Sequence, residues 1–134
     1  MPHLTLLYSP SLELDADMPT LCRKLAATMQ AARDEAGQPV FPLGGIRVLA
    51  YPAAHDAVGD GASELAFCYF NLRLARGRSE ATQRAAGQAL ADCAQAHFAP
   101  VLARRKLGLT LQVDEGNEVF DAKFGNLHAH FQKA

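Results

Sequence analysis

The sequence predicts an α/β (α+β) fold in which two fused strand-helix-strand units form a four-stranded sheet with both helices on one face. Two observations indicate it: short apolar segments alternate with longer segments of helical periodicity, and this order occurs twice. The 134 residues suit one domain, 1–134, with an internal pseudo-repeat of about 1–60 and 61–134. Helical crossovers predict parallel pairing within each unit.

The first unit begins with the apolar segment 3–8, which we interpret as a strand that leads into a turn-rich segment. From about Pro19 to Ala36, apolar residues recur at spacings of three and four, which predicts an amphipathic helix. Strand composition returns at 46–51, after a Pro-Leu-Gly-Gly turn. This order predicts one strand-helix-strand unit.

The second unit repeats the order, beginning with a strand at 64–74 that is rich in aromatic and branched residues. Ser79 is placed to cap a helix that runs toward Arg105, and Pro100 predicts a kink or break near its end. Residues 108–113 supply the last strand, whereas the C-terminal residues carry no pattern that assigns them. Two helices leave one face of an apolar sheet uncovered, so we expect oligomerisation through that face.

Composition excludes several classes of protein. A hydrophobic content of 49% and a net charge of −1 give no basic excess for nucleic-acid binding. No apolar run reaches the roughly 20 residues of a membrane span, and no export signal is visible, so we expect a cytoplasmic protein. Three cysteines without a CxxC pair predict reduced thiols and no zinc site; they are Cys22, Cys68 and Cys93.

The first two residues offer a candidate general base. Met1 precedes Pro2, and the strand follows at once. If Met1 is removed, Pro2 carries a free secondary amine, which can transfer a proton when its pKa is brought toward neutrality. The alternative is structural, because proline is common as the first residue of a strand.

The chain resembles the tautomerase superfamily, and within it the 5-carboxymethyl-2-hydroxymuconate isomerase family. Five segments carry the resemblance: Met-Pro-His at 1–3, Phe-Pro-Leu-Gly-Gly-Ile-Arg at 41–47, Gly-Arg-Ser at 77–79, Ala-His-Phe at 96–98 and Asn-Leu-His-Ala at 126–129. The resemblance implies a cofactor-independent homotrimer that acts on a small carboxylate in aromatic-compound catabolism. It also implies that an N-terminal proline moves a proton between oxygen and carbon in unsaturated 2-hydroxy acids.

By this resemblance Pro2 is the catalytic base, and Arg47 and Arg78 bind substrate carboxylates; no metal is expected. The chemistry agrees, because a guanidinium holds a carboxylate through two parallel hydrogen bonds and stays charged. The alternative is that both arginines are solvated surface charges. Leu49 and Leu7 stand where the family tends to place charge, so we expect a substrate less anionic than the family's muconate.

Other functions remain open from the sequence. A protonated Pro2 could assist hydration or dehalogenation, and a non-catalytic trimer could bind a small acid. His128 and His130 alternate as they would on one strand face, and we interpret them as a solvated or hydrogen-bonded pair without a third metal ligand. Cys93 and His97, one helical turn apart, are interpreted as packing residues.

Overall fold

A computed structural model describes residues 2–132 of the chain. Its elements are β1 (His3–Tyr8), α1 (Met18–Ala31), β2 (Arg47–Pro52), β3 (Leu65–Leu74), α2 (Glu80–Leu102), β4 (Lys106–Glu115) and α3 (Leu127–Phe131). The strand order is β2-β1-β3-β4, parallel for β1 with β2 and for β3 with β4, and antiparallel where β1 meets β3. The predicted four-stranded sheet of two strand-helix-strand units is confirmed.

The core lies between the helices and one face of the sheet. Alternate residues of β1 and β3 are buried, which is the period-two pattern of a sheet covered on one side. Helices α1 and α2 pack against each other and close this core. The aromatic rings of Phe70 on β3 and Phe98 on α2 meet edge to face, with centroids 6.3 Å apart.

Helix α1 ends at Ala31, five residues before the predicted end at Ala36. The backbone N–H of Val40 donates to the Ala32 carbonyl at 3.1 Å, which folds residues 32–40 into a hairpin loop. The Asp34 carboxylate accepts hydrogen bonds from two backbone N–H groups of this loop. The helical spacing of apolar residues therefore continues in the sequence beyond the end of α1, into a segment where Asp34 favours a turn.

Helix α2 begins as predicted, because the Ser79 hydroxyl accepts a hydrogen bond from the backbone N–H of Thr82 at 3.1 Å. A kink or break was predicted at Pro100: the break is wrong, since α2 continues to Leu102, and the kink stays a prediction. Pro100 lies in the last turn, so its missing N–H removes one hydrogen bond near the helix end.

Neither long helix lies on the second face of the sheet. Leu7, Leu49 and Tyr51 occupy this face and are each 43–50% exposed. Phe67 and Tyr69 of β3 are half-buried on the same face. The predicted uncovered apolar face is therefore present, and it is continuous across β2, β1 and β3.

The cysteines are free thiols, as predicted. Cys68 is fully buried on β3, and burial raises the pKa of its thiol to about 12, so it is a poor nucleophile. Within residues 2–132, no helix combines the length and the apolar character that crossing a membrane requires.

Candidate active site

A cavity of about 480 Å³ lies at the end of the sheet where β1 and β2 begin and β3 ends. One wall is the end of the second sheet face, where it carries His3, Arg47 and Arg73. The other wall is the segment after β4, which contributes residues between Glu118 and His128. The cavity thus joins strand ends to the C-terminal segment.

Strand register explains why three basic side chains meet here. His3 pairs with Arg47 of β2 on one side and with Arg73 of β3 on the other. Residues opposite each other in neighbouring strands project from the same face. Because neighbouring strands lie about 4.8 Å apart, the backbones of Arg47 and Arg73 are separated by roughly 10 Å.

The surroundings of His3 determine its protonation state, with burial as the largest effect. Partial burial lowers the pKa of His3, and the positive charges of Arg47 and Arg73 lower it further. His3 is therefore neutral at neutral pH, where its ring can both donate and accept a hydrogen bond. The resulting site holds fixed positive charge beside a neutral imidazole, an arrangement suited to a carboxylate with an enol or keto oxygen.

The segment after β4 is held over the cavity at its two ends. The buried Gly116 donates its backbone N–H to the Leu74 carbonyl at 2.8 Å. At the other end, a Cβ added to Gly44 would lie 2.9 Å from Nδ1 of His128, so α3 packs directly on the glycine turn before β2. His128 and His130 are therefore on a helix, and the expected shared strand face is wrong, because residues two apart on a helix point in different directions.

Arg78 lies outside this cavity. Its Nε and Nη2 donate to the Val40 carbonyl at 3.2 and 3.1 Å, and its Nη1 donates to the Ala75 carbonyl at 3.2 Å. Its guanidinium also stacks 5.3 Å from the centre of the Phe41 ring. Arg78 thereby ties the start of α2 to the segment that leads into β2, and its predicted contact with substrate stays a prediction.

The N-terminal end of a helix favours an anion, and at the start of α2, beside Arg78, the chain supplies one itself. The Glu35 carboxylate accepts hydrogen bonds from the Ser79 hydroxyl at 2.6 Å and the Thr82 hydroxyl at 2.7 Å. These bonds lower the pKa of Glu35. A second pocket of about 400 Å³ at this helix end is lined by both Glu35 and Arg78, so its wall already contains an internal carboxylate.

Pro2 is fully buried at the start of the sheet and directly precedes His3 of the cavity wall. Met1 lies outside the described residues, so its predicted removal stays a prediction. The structure thus brings Arg47 to the cavity and Pro2 within one residue of it. The sequence analysis did not identify His3 and Arg73 as site residues. The signal that could have indicated Arg73 is the pair of polar residues, Asn71 and Arg73, at the end of an otherwise apolar strand.

The other histidines and cysteines form no metal centre within residues 2–132, since no group of three or more potential ligands occurs there. His97 instead contacts the chain, with Nε2 2.5 Å from the Ala16 carbonyl oxygen and its ring against Phe98. This contact agrees with the packing role expected for His97.

Comparison with known proteins places the chain in a family. The family model for 5-carboxymethyl-2-hydroxymuconate isomerase matches residues 2–131. The Escherichia coli 5-carboxymethyl-2-hydroxymuconate Delta-isomerase is 30% identical over 98% of this chain and 100% of its own length. A solved 5-carboxymethyl-2-hydroxymuconate delta-isomerase is 54% identical, with a TM-score of 0.95 over 100% of this chain and 95% of its own.

A second solved structure, the 5-carboxymethyl-2-hydroxymuconate isomerase of Deinococcus radiodurans R1, is 34% identical. Its TM-score is 0.86, over 98% of this chain and 95% of that protein. These likenesses span the sheet, both long helices and the segment that covers the cavity. The chain therefore belongs to the 5-carboxymethyl-2-hydroxymuconate isomerase family and is an enzyme of the isomerase class.

Proposed function

We propose that this enzyme is a cofactor-independent tautomerase that moves a proton within an unsaturated 2-hydroxy or 2-oxo carboxylate. The substrate named for its relatives, 5-carboxymethyl-2-hydroxymuconate, is the first to test. The observation that carries the proposal is the cavity in which Arg47 and a neutral His3 meet, one residue from Pro2. A carboxylate held there places its conjugated chain beside the start of β1.

In this mechanism Pro2, freed by removal of Met1, acts as the general base. Its nitrogen takes the proton from the 2-hydroxyl group and returns it to a carbon of the conjugated system. Arg47 binds the carboxylate and stabilises the charge that develops on the dienolate oxygen. His3, neutral and one residue away, is placed to hydrogen bond to that oxygen.

A turnover assay tests the proposal directly. The absorbance of 5-carboxymethyl-2-hydroxymuconate is followed with enzyme that has been treated with EDTA and dialysed. We expect rapid ketonisation that is unchanged by the chelator, because proton transfer between Pro2 and substrate needs no metal. Dependence on an added metal would contradict this mechanism, and binding without turnover would favour the small-acid-binding alternative.

We also propose that the enzyme is a homotrimer assembled through the uncovered sheet face. Leu7, Leu49 and Tyr51 expose apolar surface there, and cyclic symmetry would bury it in three equivalent contacts. Light scattering is expected to give three times the 14.4 kDa chain mass. The substitution Leu7→Lys should shift the mass toward the monomer, because it places a charge in that contact.

Leu14→Lys is the matched control for this assembly. Leu14 is 96% exposed and lies in the loop before α1 rather than on a strand of the sheet, so its variant should remain trimeric. A wild-type monomer at micromolar concentration would contradict the proposal. Loss of the trimer in both lysine variants would show that added charge, rather than the sheet contact, controls assembly.

A further inference from the structure

The cavity contains a second guanidinium that the sequence motifs did not indicate. Arg73 is the last residue of β3 on the second sheet face. It lines the cavity, and His3 lies between it and Arg47. The expectation of a less anionic substrate rested on Leu49 and Leu7, which stand where the family tends to place charge. Leu49 is absent from the cavity wall formed by residues 2–132, whereas Arg73 belongs to it.

The carboxylate that faces Arg73 comes from the covering segment. Glu118 Oε1 lies 3.7 Å from Arg73 Nη2, and the two side chains are 44% and 52% exposed. At this distance and exposure the ion pair is weak and readily exchanged. Glu118 therefore contacts the Arg73 guanidinium without using its full hydrogen-bonding capacity. A guanidinium can bind a carboxylate through two parallel hydrogen bonds.

The other acidic groups near Arg73 are already engaged. Asp121, in the same cavity wall, forms an ion pair with Lys123 at 2.5 Å. Asp114 pairs with Arg73 in the strand register, but its carboxylate accepts a hydrogen bond from the Asn71 amide at 3.0 Å. Among residues 2–132, Glu118 is thus the carboxylate that lies at ion-pair distance from Arg73.

We propose that Arg73 determines specificity by binding a second carboxylate of the substrate, and that Glu118 holds Arg73 until this carboxylate displaces it. The inference deepens the proposed function and rests on the cavity being the substrate site. Arg47 binds one end of a conjugated acid and Arg73 the other, across strands roughly 10 Å apart at the backbone. The substrate class therefore carries at least two carboxylates, as the muconate named for the relatives does, in place of the less anionic acid that Leu49 and Leu7 suggested.

Two inert acids test this inference apart from catalysis. (E,E)-hexa-2,4-dienedioate and (E,E)-hexa-2,4-dienoate share a conjugated six-carbon chain and differ in one terminal carboxylate, which the second acid replaces with methyl. Neither carries the 2-hydroxyl group, so no proton is moved. Calorimetry then measures binding alone, for the full-length enzyme and its variants at one ionic strength.

We expect the wild-type enzyme to bind the diacid about tenfold more tightly than the monoacid. This difference is near the lower end of the contribution that a hydrogen bond to a charged group makes. Arg73→Ala should remove most of that preference and leave monoacid affinity unchanged, whereas Arg73→Lys should keep part of it. Glu118→Gln should strengthen diacid binding roughly two- to fivefold, because it removes a weak competing ion pair.

A matched pair on α2 serves as the control. Arg84 and Glu80 form an ion pair at 2.8 Å on an exposed helix face, so Arg84→Ala and Glu80→Gln should leave both affinities unchanged. Equal wild-type binding of the two acids, no binding of either, or equal weakening of both by Arg73→Ala would overturn the inference. Failure of the proposed function is a separate result: absence of turnover with 5-carboxymethyl-2-hydroxymuconate while the diacid preference persists.

Discussion

Replacing Pro2 with alanine is expected to lower kcat by roughly 10²- to 10⁴-fold, the usual contribution of a general acid or base. The variant begins with a primary amine on a freely rotating residue, whose orientation and basicity differ from those of the prolyl ring. KM should change little, because Arg47 and the cavity wall still bind the carboxylate. Steady-state kinetics with 5-carboxymethyl-2-hydroxymuconate measure both constants.

The control for this variant is Pro10→Ala. Pro10 begins an exposed helical turn after β1 and has no proposed part in proton transfer, so its kcat should match the wild type. Full activity in Pro2→Ala would remove the proline from the mechanism. A rise in KM with unchanged kcat would assign Pro2 to substrate binding instead.

Replacing Arg47 with alanine is expected to lower kcat/KM. The loss should correspond to about 2–5 kcal/mol of transition-state stabilisation, the range for truncating one partner of a buried charge pair. The loss arises because the substrate carboxylate is taken from water without a guanidinium to receive it. Arg47→Lys should recover part of this loss, since lysine restores the charge but not the two parallel hydrogen bonds.

Arg33→Ala provides the comparison for Arg47. Arg33 is exposed, and its guanidinium donates to backbone carbonyls at the end of α1, away from the cavity. Its loss should leave kcat/KM at the wild-type value. If Arg47→Ala behaves in the same way, Arg47 is a solvated surface charge and the cavity is not the carboxylate site.

Local signals in the sequence predicted much of the fold. The aromatic and branched residues of β3 and the Ser79 cap of α2 act within a few positions of the chain, so their effects are visible without knowledge of tertiary structure. The end of α1 was predicted less well. The helical spacing of apolar residues extends past Ala31. The hydrogen bond from Val40 to Ala32, which folds the loop back, is not visible in that spacing.

The candidate site depended more strongly on contacts that a single sequence does not contain. Arg73 reaches the cavity only because β3 runs antiparallel to β1 in a register that places it opposite His3. Shifting that register by one residue would turn Arg73 to the other face of the sheet. Arg78 shows the converse, since its motif predicted substrate contact while its guanidinium binds the Val40 and Ala75 carbonyls.

The central claim is that turnover requires the free amine of Pro2. The most direct test measures intact mass and kcat on the same preparations, made with different extents of Met1 removal. We expect kcat per mole of total protein to rise in proportion to the fraction that begins at Pro2, because a retained Met1 makes that nitrogen a non-basic amide. Full turnover by protein that uniformly retains Met1 would contradict the account.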